Sequence, residues 1–282
     1  MKAFLGMGLL GSNFTRALLR KGSEVQVWNR TSIKAKELEQ YGAKAFDTPA
    51  EAVKDAEIIH VTLKDDASVD EVLAQAAKGL MPGAFIIDHT TTSAEGAVKR
   101  TQYWKERGVI YQHAPVFMGP SNAMDGTGFM LVSGDQEIIS RLETELTPMT
   151  GKLLNFGEEA GKAAAMKLLG NLFLVTFTAG IADTLLLAKA MHIKPADLLT
   201  LFGEWNPGTS LPGRLKRVAS GSYEDPSWEL SMARKDTGLF MAEAEKGGVT
   251  LNIIPVIARL MDNFIARGYG NNDWTVIGKD AV

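Results

Sequence analysis

Residues 1–31 read MKAFLGMGLLGSNFTRALLRKGSEVQVWNRT, and this stretch decides the fold. Two short apolar runs, at 2–5 and 25–28, flank a glycine-rich turn and an amphipathic segment. This order predicts a β-strand, a tight turn, an α-helix and a second β-strand. A unit of this kind begins a doubly wound sheet, in which ligands bind at the carboxyl ends of the strands.

The turn after the first strand has the spacing G-x-G-x-x-G. Gly6 permits the tight turn, Gly8 lets backbone N–H groups approach a pyrophosphate, and Gly11 lets the helix pack close to its strand. The helix N-terminus also presents unpaired N–H groups and partial positive charge to phosphates. We therefore expect a bound dinucleotide rather than a glycine-rich turn without a ligand. The expected binding run is Gly6, Met7, Gly8, Leu9, Leu10 and Gly11.

The residues after the second strand indicate which dinucleotide binds. Asn29, Arg30 and Thr31 lie about 20 residues past the first glycine, where an acidic residue would hold the ribose hydroxyls of NAD. This chain has no carboxylate there to repel a 2′-phosphate, and Arg30 can pair with that phosphate through its planar guanidinium. The sequence therefore favours NADP(H) over NAD(H). In the alternative interpretation, Arg30 is a solvated residue at a helix start.

Composition bounds the class of protein. A chain of 282 residues is long enough for two ordinary domains, and a hydrophobic content of 45% lets it bury a full core. The net charge of −3 and the absence of a basic stripe argue against nucleic acid as a partner. The chain has no cysteine, which excludes disulfides and thiolate metal sites. Its four histidines lack metal-ligand spacing, so we expect no metal site.

The pattern along the chain predicts two domains. Strand-like and helical runs alternate up to residue 158, which predicts an α/β domain with a Rossmann-type, doubly wound and mostly parallel sheet. Only helical periodicity follows. We therefore expect a dinucleotide-binding domain over 1–158 and an all-helical domain for substrate binding and dimerisation over 159–282. The second domain is expected to begin with one long inter-domain helix over 160–191.

One segment of that helix, 168–188, is long and apolar enough to span a bilayer. It contains Asn171 and Asp183, so burial inside a soluble protein or its dimer is the favoured interpretation. The apolar run after Met1 is broken by glycines and followed by arginines, which does not fit a signal peptide. We expect a cytoplasmic homodimer or higher homo-oligomer with no membrane partner.

Lys167 and Asn171 are the candidates for catalysis. They are four residues apart on the long helix and therefore share a face. A lysine in an otherwise apolar helix is costly unless it is paired or functional. Beside a nicotinamide it would exchange a proton with a substrate oxygen as hydride is transferred, while Asn171 holds that oxygen or the lysine. The alternative is a lysine whose ammonium reaches solvent at the surface.

Two further segments have ordinary alternatives. The turn 114–120 follows a strand, where a substrate loop belongs, but an irregular connection would have the same pattern. Lys235 and Asp236, which follow Trp228, have the pattern of a solvated ion pair on a helix face.

In combination, these motifs resemble the β-hydroxyacid dehydrogenases, a family that includes 3-hydroxyisobutyrate dehydrogenase and the glyoxylate/succinic semialdehyde reductases. The run 6–11 is similar to the family's opening signature, and 29–31 resembles its NADP-preferring form. The resemblance implies that Leu63 and Thr91, each just after a strand, contact the cofactor. It also implies that Lys167 is the catalytic lysine and Asn171 the substrate-site asparagine.

The resemblance changes the interpretation of the C-terminal pair. Lys235 and Asp236 match residues that in the family reach back to the cofactor and the substrate, respectively. We therefore expect Lys235 to bind the cofactor, and Asp236 and the nearby Trp228 to bind the substrate.

The substrate loop departs from the family pattern Asp-Ala-Pro-Val-Ser-Gly-Gly. Residues 113–119 read His-Ala-Pro-Val-Phe-Met-Gly, so Phe117 and Met118 replace the serine and glycine that would bind a substrate carboxylate, while Gly119 is retained. Gly170 stands where the family often has a second asparagine. A hydroxyl donor is lost and apolar bulk is gained. The cofactor assignment survives these changes, whereas the substrate stays open.

The sequence therefore predicts an NADP(H)-dependent oxidoreductase that transfers hydride between nicotinamide and a small hydroxy acid, aldehyde or keto acid, with Lys167 as general acid and base. The first alternative is an imine reductase-like enzyme on the same fold, which the apolar loop supports and the lysine opposes. The second is a non-catalytic NADP-binding protein, against which the lysine also argues.

Overall fold

The structure is a computed structural model that describes all residues from 1 to 282. It divides into two compact units, Met1–Leu172 and Phe173–Val282. The first unit contains all nine β-strands, and the second contains only helices and turns. This succession is the one that the change of pattern along the sequence predicts.

The first unit is built on a six-stranded sheet. Its strands are β1 (Lys2–Leu5), β2 (Val25–Trp28), β3 (Lys44–Ala45), β4 (Ile58–Val61), β5 (Phe85–Asp88) and β6 (Ile110–His113). Every pair of neighbours is parallel, and the spatial order is β3-β2-β1-β4-β5-β6. This is the order of a Rossmann-type doubly wound sheet, and the predicted fold class is confirmed. The helices that accompany the strands are α1 (Leu9–Arg20), α2 (Ser32–Lys36), α3 (Pro49–Ala52), α4 (Asp66–Ala76), α5 (Ala94–Lys105), α6 (Pro120–Asp125) and α7 (Gln136–Leu146).

A second, three-stranded sheet completes the first unit. It consists of β7 (Val116–Phe117), β8 (Phe129–Val132) and β9 (Lys152–Asn155), with β7 antiparallel and β9 parallel to β8. The sequence predicts one doubly wound sheet for this domain and does not indicate a second one. The reason is that β7, which begins the second sheet, has only two residues and therefore shows no periodicity.

Two histidines lie in the core between α1 and the sheet. The rings of His60 and His89 stack on one another with centroids 5.3 Å apart, and the ring of Phe4 stacks on His60. Nδ1 of His89 lies 2.8 Å from the carbonyl oxygen of Ala114, which only accepts, so this nitrogen donates. Burial and the neighbouring His60 lower the pKa of His89 to about 3. His89 is therefore neutral, and its Nε2 accepts from Nδ1 of His60 at 3.0 Å.

The other nitrogen of His60 meets a carboxylate. Its Nε2 lies 3.1 Å from Oε1 of Glu145, whose carboxylate also pairs with Lys2 at 2.5 Å. Burial raises the pKa of Glu145, but the hydrogen bonds and positive charges of His60 and Lys2 outweigh it and lower the pKa to about 2. Both ring nitrogens of His60 thus lie within hydrogen-bonding distance of a neighbour, His89 on one side and Glu145 on the other. A buried charge network ties β1, β4 and α7 together.

The second unit holds helices only. After α8 (Lys162–Ala190), which begins in the first unit, come α9 (Pro195–Glu204), α10 (Leu211–Ser220), α11 (Leu230–Lys246) and α12 (Ile254–Phe264). Asp183 of α8 caps the start of α12, because its carboxylate accepts from the backbone N–H groups of Asn252, Ile253 and Ile254. Asp183, a charged residue within an apolar helix, therefore has a structural role.

The long helix α8 matches the expected helix to within two residues at the N-terminus and one at the C-terminus. The domain boundary expected at 158–159 precedes it, whereas the compact units divide inside it. The reason is that the first turn of α8 belongs to the core of the first unit: Ala163 and Ala164 are fully buried. The N–H of Ala163 also donates to Oγ of Ser133 at 2.9 Å.

By length and composition, α8 is apolar enough to cross a membrane, although a single such helix is weak evidence, since core helices of soluble proteins pass the same test. Only 11% of its most apolar window is buried inside the chain. The expectation that this helix is buried is therefore not met by one chain alone. Its long apolar side chains remain exposed along most of its length.

Replacement of Glu145 by glutamine tests the buried charge network. The folded-state pKa of Glu145, about 2, lies below its ordinary value of 4.5, so its stabilisation is full above pH 4.5 and is lost as the pH falls towards 2. We expect Glu145→Gln to lower the free energy of unfolding at pH 7 by up to about 3 kcal/mol and to flatten its decline between pH 4.5 and 2.

Urea unfolding followed by circular dichroism at several pH values measures both effects. Glu143→Gln, an exposed change on the same helix, is the matched control and should leave the curve unchanged. Equal acid sensitivity of wild type and Glu145→Gln would contradict the assignment.

Candidate active site

The three glycines of the first turn differ in what the fold demands of them. Gly6 has φ +101°, and a Cβ there would lie 2.9 Å from the carbonyl carbon of Thr62. A Cβ on Gly11 would overlap the carbonyl oxygen of Gly6 and Oγ1 of Thr62. Gly8 has an ordinary φ of −80°, and nothing lies within 4 Å of its Cβ position. The ligand-free fold therefore requires glycine at 6 and 11, while the open space at 8 fits the approach of a phosphate group.

Hydrogen bonds fix the shape of this turn. The N–H of Gly6 donates to the carbonyl oxygen of Trp28 at 2.9 Å, and Oγ1 of Thr62 donates to that of Gly6 at 2.8 Å. The N–H of Met7 donates to Oδ1 of Asn29 at 2.9 Å. Met7 and Asn29, both predicted to contact the cofactor, thus hold the turn in place. Thr62 also holds the turn, through its bond to Gly6, and was not among the predicted residues.

The first turn of α1 supplies the donors for a phosphate. The N–H groups of Leu9, Leu10 and Gly11 precede the first residue able to bond back within the helix, Ser12, whose N–H donates to Gly8. Unpaired N–H groups at a helix N-terminus are an anion site. Leu9 is 77% exposed, which leaves this end of the helix accessible.

A groove with a volume of about 540 Å³ runs along the carboxyl ends of β1, β2 and β4. It brings together half of the residues predicted to bind the dinucleotide, whereas Met7, Leu9, Leu10, Gly11, Thr91 and Lys235 do not line it. Arg30 and Thr31 are exposed at its lining, as is Lys34, and no acidic residue follows β2 directly. The lining residues are Gly6, Gly8, Trp28, Asn29, Arg30, Thr31, Lys34, Thr62, Leu63, Lys64, Asp65, Ala67, Ser68, Glu71, Val72 and Gln75.

Leu63 and Thr91 follow β4 and β5, as predicted, and the loops that carry them are joined. The N–H of Leu63 donates to Oγ1 of Thr90 at 2.9 Å. Asp66 accepts from the N–H of Ser93 at 2.9 Å and from the buried Arg100 at 2.5 Å. The sequence does not indicate these bonds of Asp66 with Ser93 and Arg100. Ser93 shows the pattern of an N-cap, but the partner of Arg100 is 34 residues away and no local pattern identifies it.

Lys167 lies on α8, where small residues bring the helix close to a neighbour. A Cβ on Gly161 would lie 2.8 Å from the carbonyl oxygen of Ala94, so glycine is needed for this approach. The Lys167 side chain is buried and has no carboxylate partner. Its Nζ donates to Oδ1 of Asn171 at 3.0 Å. Burial lowers the pKa of Lys167 from its ordinary value, which suits an ammonium that gives up a proton.

The loop after β6 presents Phe117 to this lysine. Nζ of Lys167 lies 4.1 Å from the centroid of the Phe117 ring, a cation–π distance. Gly119 caps α6, and its N–H donates to Oδ1 of Asn122 at 2.9 Å. Met118 is half-buried and packs against the core of the first unit. Of the predicted substrate loop, Phe117 is therefore the side chain that directly faces the candidate acid.

The remaining predicted residues lie in the second unit. Lys235 and Asp236 are on α11, and Nζ of Lys235 lies 3.0 Å from Oδ1 of Asp236. The ring of Trp228 meets that of Trp274 edge-on, with centroids 5.7 Å apart. The local ion pair matches the ordinary interpretation of these two charges. Their contribution to cofactor and substrate binding stays a prediction.

Alanine substitutions at positions 8 and 11 should have different effects on NADPH binding and on the stability of the ligand-free protein. We expect Gly11→Ala to destabilise the ligand-free protein by about 1–3 kcal/mol, because backbone atoms must move. Gly8→Ala should change that stability by less than about 1 kcal/mol. It should nevertheless weaken NADPH binding about tenfold or more, because the methyl group takes the space of the phosphate.

Urea unfolding without nucleotide and fluorescence titration with NADPH measure the two effects. Wild-type affinity in Gly8→Ala would place the dinucleotide elsewhere.

Comparisons with known proteins agree with this geometry. Residues 2–157 match the family described as the NAD binding domain of 6-phosphogluconate dehydrogenase. An oxidoreductase of Bacillus subtilis (strain 168), YfjR, is 28% identical over 98% of each chain. Glyoxylate/succinic semialdehyde reductase 2 of Arabidopsis thaliana is 28% identical over 96% of this chain and 75% of its own length.

A solved structure, the imine reductase of Myxococcus stipitatus in complex with NADP⁺, superposes with a TM-score of 0.92 over the whole of both chains at 20% identity, a likeness of fold. The matched family domain covers more than half of this chain and contains the glycine turn, the groove and the loops after β4 and β5. The chain therefore belongs to the β-hydroxyacid dehydrogenase family of NAD(P)-binding oxidoreductases, in which hydride is transferred to or from a nicotinamide cofactor.

Proposed function

We propose that the protein is an NADP(H)-dependent reductase of a small carbonyl compound, an aldehyde or a keto acid, with Lys167 as the general acid. The observation that carries the proposal is the buried ammonium of Lys167, which has an amide partner but no counter-ion. A buried lysine without a carboxylate is costly to the fold, and such cost is typical of functional positions.

Lys167 and Asn171 have different roles in the proposed reaction. A bound nicotinamide supplies a hydride to the carbonyl carbon. The ammonium of Lys167 donates a hydrogen bond to the carbonyl oxygen and then its proton, so that the oxygen becomes a hydroxyl and the lysine becomes neutral. Asn171 accepts one N–H of Lys167 and thereby fixes the direction of the others. In the reverse direction, the neutral lysine takes the proton of the alcohol.

NADP(H) is the proposed cofactor. Arg30 and Lys34 are exposed along the groove and follow β2, where no carboxylate would repel a 2′-phosphate. A guanidinium binds a phosphate through two parallel hydrogen bonds, whereas the hydroxyl of NAD offers it no charge. Equal values of kcat/KM for NADPH and NADH would contradict this assignment.

An imine reductase is the second candidate. The fold likeness to the Myxococcus stipitatus enzyme and the apolar ring of Phe117 support it. The ammonium of Lys167 opposes it, because an imine is reduced most readily as an iminium cation, which a neighbouring positive charge repels. A panel of carbonyl and imine substrates with NADPH separates the two. A protein that binds NADPH tightly and reduces neither would be a non-catalytic NADP-binding protein.

We also propose that the protein acts in the cytoplasm as a homodimer or higher homo-oligomer. The support is the exposed side of α8, where Leu169, Leu174, Val175 and Phe177 are each at least half exposed. A contiguous apolar surface of this length marks an interface in a soluble protein. A monomer in light scattering would contradict the proposal.

Removal of the ammonium tests the mechanism. We expect Lys167→Ala to lower kcat about 10²- to 10⁴-fold, the range for loss of a general acid, while NADPH binds with nearly unchanged affinity. In the wild type, the rate of reduction should fall as the pH rises through the pKa of Lys167, which lies below 10.5, because the neutral amine has no proton to give.

Stopped-flow kinetics and fluorescence titration with NADPH provide the measurements. Lys162→Ala, a change of an exposed lysine on the same helix, is the matched control. Turnover near the wild-type rate in Lys167→Ala would rule out this role.

A further inference from the structure

Phe117 and Gly170 are complementary in shape. Gly170 lies on α8 one turn after Lys167, and its Cβ position is 2.8 Å from Cε1 of the Phe117 ring and closer still to Cζ. Real Cβ atoms essentially never approach a neighbour that closely. The ring therefore occupies the space that any larger side chain at 170 would need. The ring can occupy this position only because residue 170 is glycine.

The backbone around Phe117 holds the ring in this place. Phe117 pairs with Phe129 across β7 and β8. Gly128, with φ +79°, brings its backbone so near that a Cβ there would be 2.9 Å from the carbonyl oxygen of Phe117. The strand cannot retreat in this direction without breaking the sheet. The backbone of Phe117 is thus held in place, and its ring forms an apolar wall of the site.

The hydrogen-bond capacity of Lys167 is nearly used. An ammonium has three N–H groups. One donates to Asn171 at 3.0 Å, and the ammonium also lies over the ring of Phe117, where the negative face of the π-system attracts it. This leaves one N–H direction for a substrate oxygen. Lys167 can therefore hold the reacting oxygen, and the Phe117 side chain beside it offers no hydrogen-bond donor to a carboxylate.

A carboxylate next to the reacting carbon of a substrate would lie against the apolar ring of Phe117. The face of an aromatic ring carries partial negative charge and repels an anion. Desolvation of an unpaired carboxylate against this wall is costly. An alkyl or aryl group gains dispersion and apolar contact in the same place.

We propose that Phe117 and Gly170 determine substrate specificity: the substrate carries an uncharged alkyl or aryl group next to the reacting carbon, and a carboxylate in that position is rejected. The inference rests on the proposed role of Lys167 in reduction and narrows its substrate class from small carbonyl compounds in general to uncharged ones.

Three aldehydes test the selection. Glyoxylate and its ester, methyl glyoxylate, differ by one methyl group and by the negative charge, and phenylglyoxal is uncharged and carries an aromatic ring. We expect kcat/KM with NADPH to be about tenfold or more higher for the ester than for the acid, and highest for phenylglyoxal. Phe117→Ser should remove most of the preference for the ester. An equal or greater kcat/KM for glyoxylate in the wild type would overturn the proposal.

A double-mutant cycle tests the pair itself. Gly170→Ala should lower kcat/KM for the ester about tenfold in the wild-type background, because its methyl group displaces the ring, and should have little effect in Phe117→Ser, where the ring is gone. Lys162→Ala, a change of an exposed residue on the same helix, is the control for general damage to the helix. Equal costs of Gly170→Ala in both backgrounds would contradict the complementarity.

A binding readout separates this inference from the proposed reaction. Benzamide and benzoate are not reduced, and calorimetry with the NADP⁺-loaded protein measures how each binds. Stronger binding of benzamide supports the selection even if no aldehyde is turned over, in which case only the proposed reduction fails. Stronger binding of benzoate, equal binding, or no binding of either would overturn the selection.

Discussion

The contact between the start of α1 and the end of β1 is the constraint on which the nucleotide-binding half depends. Gly11 approaches the carbonyl oxygen of Gly6 so closely that no side chain fits between them, and Thr62 closes the gap from β4. Three elements therefore meet at one point. Because α1 begins there, its unpaired N–H groups lie at the carboxyl edge of the sheet, where the groove passes. The cofactor site follows from close backbone packing.

The sequence predicts local features of this chain well. Residues 1–31 predict the first strand, turn, helix and strand because each has its own period or glycine signal. Helix α8 ends within two residues of the predicted span 160–191 on either side. Lys167 and Asn171, predicted to share a helix face, are hydrogen-bonded. All these inferences need only residues that are near one another in sequence.

Features that depend on distant residues could not be predicted. The contact of Phe117 with Gly170 joins residues far apart in sequence, and neither residue shows by itself that the other fills its space. The bond between Arg100 and Asp66 is of the same kind. The contact of His60 with Glu145 was also missed, because a lone histidine in an apolar strand has the pattern of an ordinary core residue. Such groups are recognised only when their hydrogen-bond partners are known.

The open space at Gly8 has a consequence for how this site changes over evolutionary time. Gly6 and Gly11 are retained by the fold whether or not a nucleotide binds, whereas nothing in the ligand-free chain opposes a side chain at position 8. A descendant that stopped using the cofactor would keep Gly6 and Gly11 and lose Gly8 by drift. The residue at position 8 therefore indicates whether a related protein still binds the cofactor or retains only the fold.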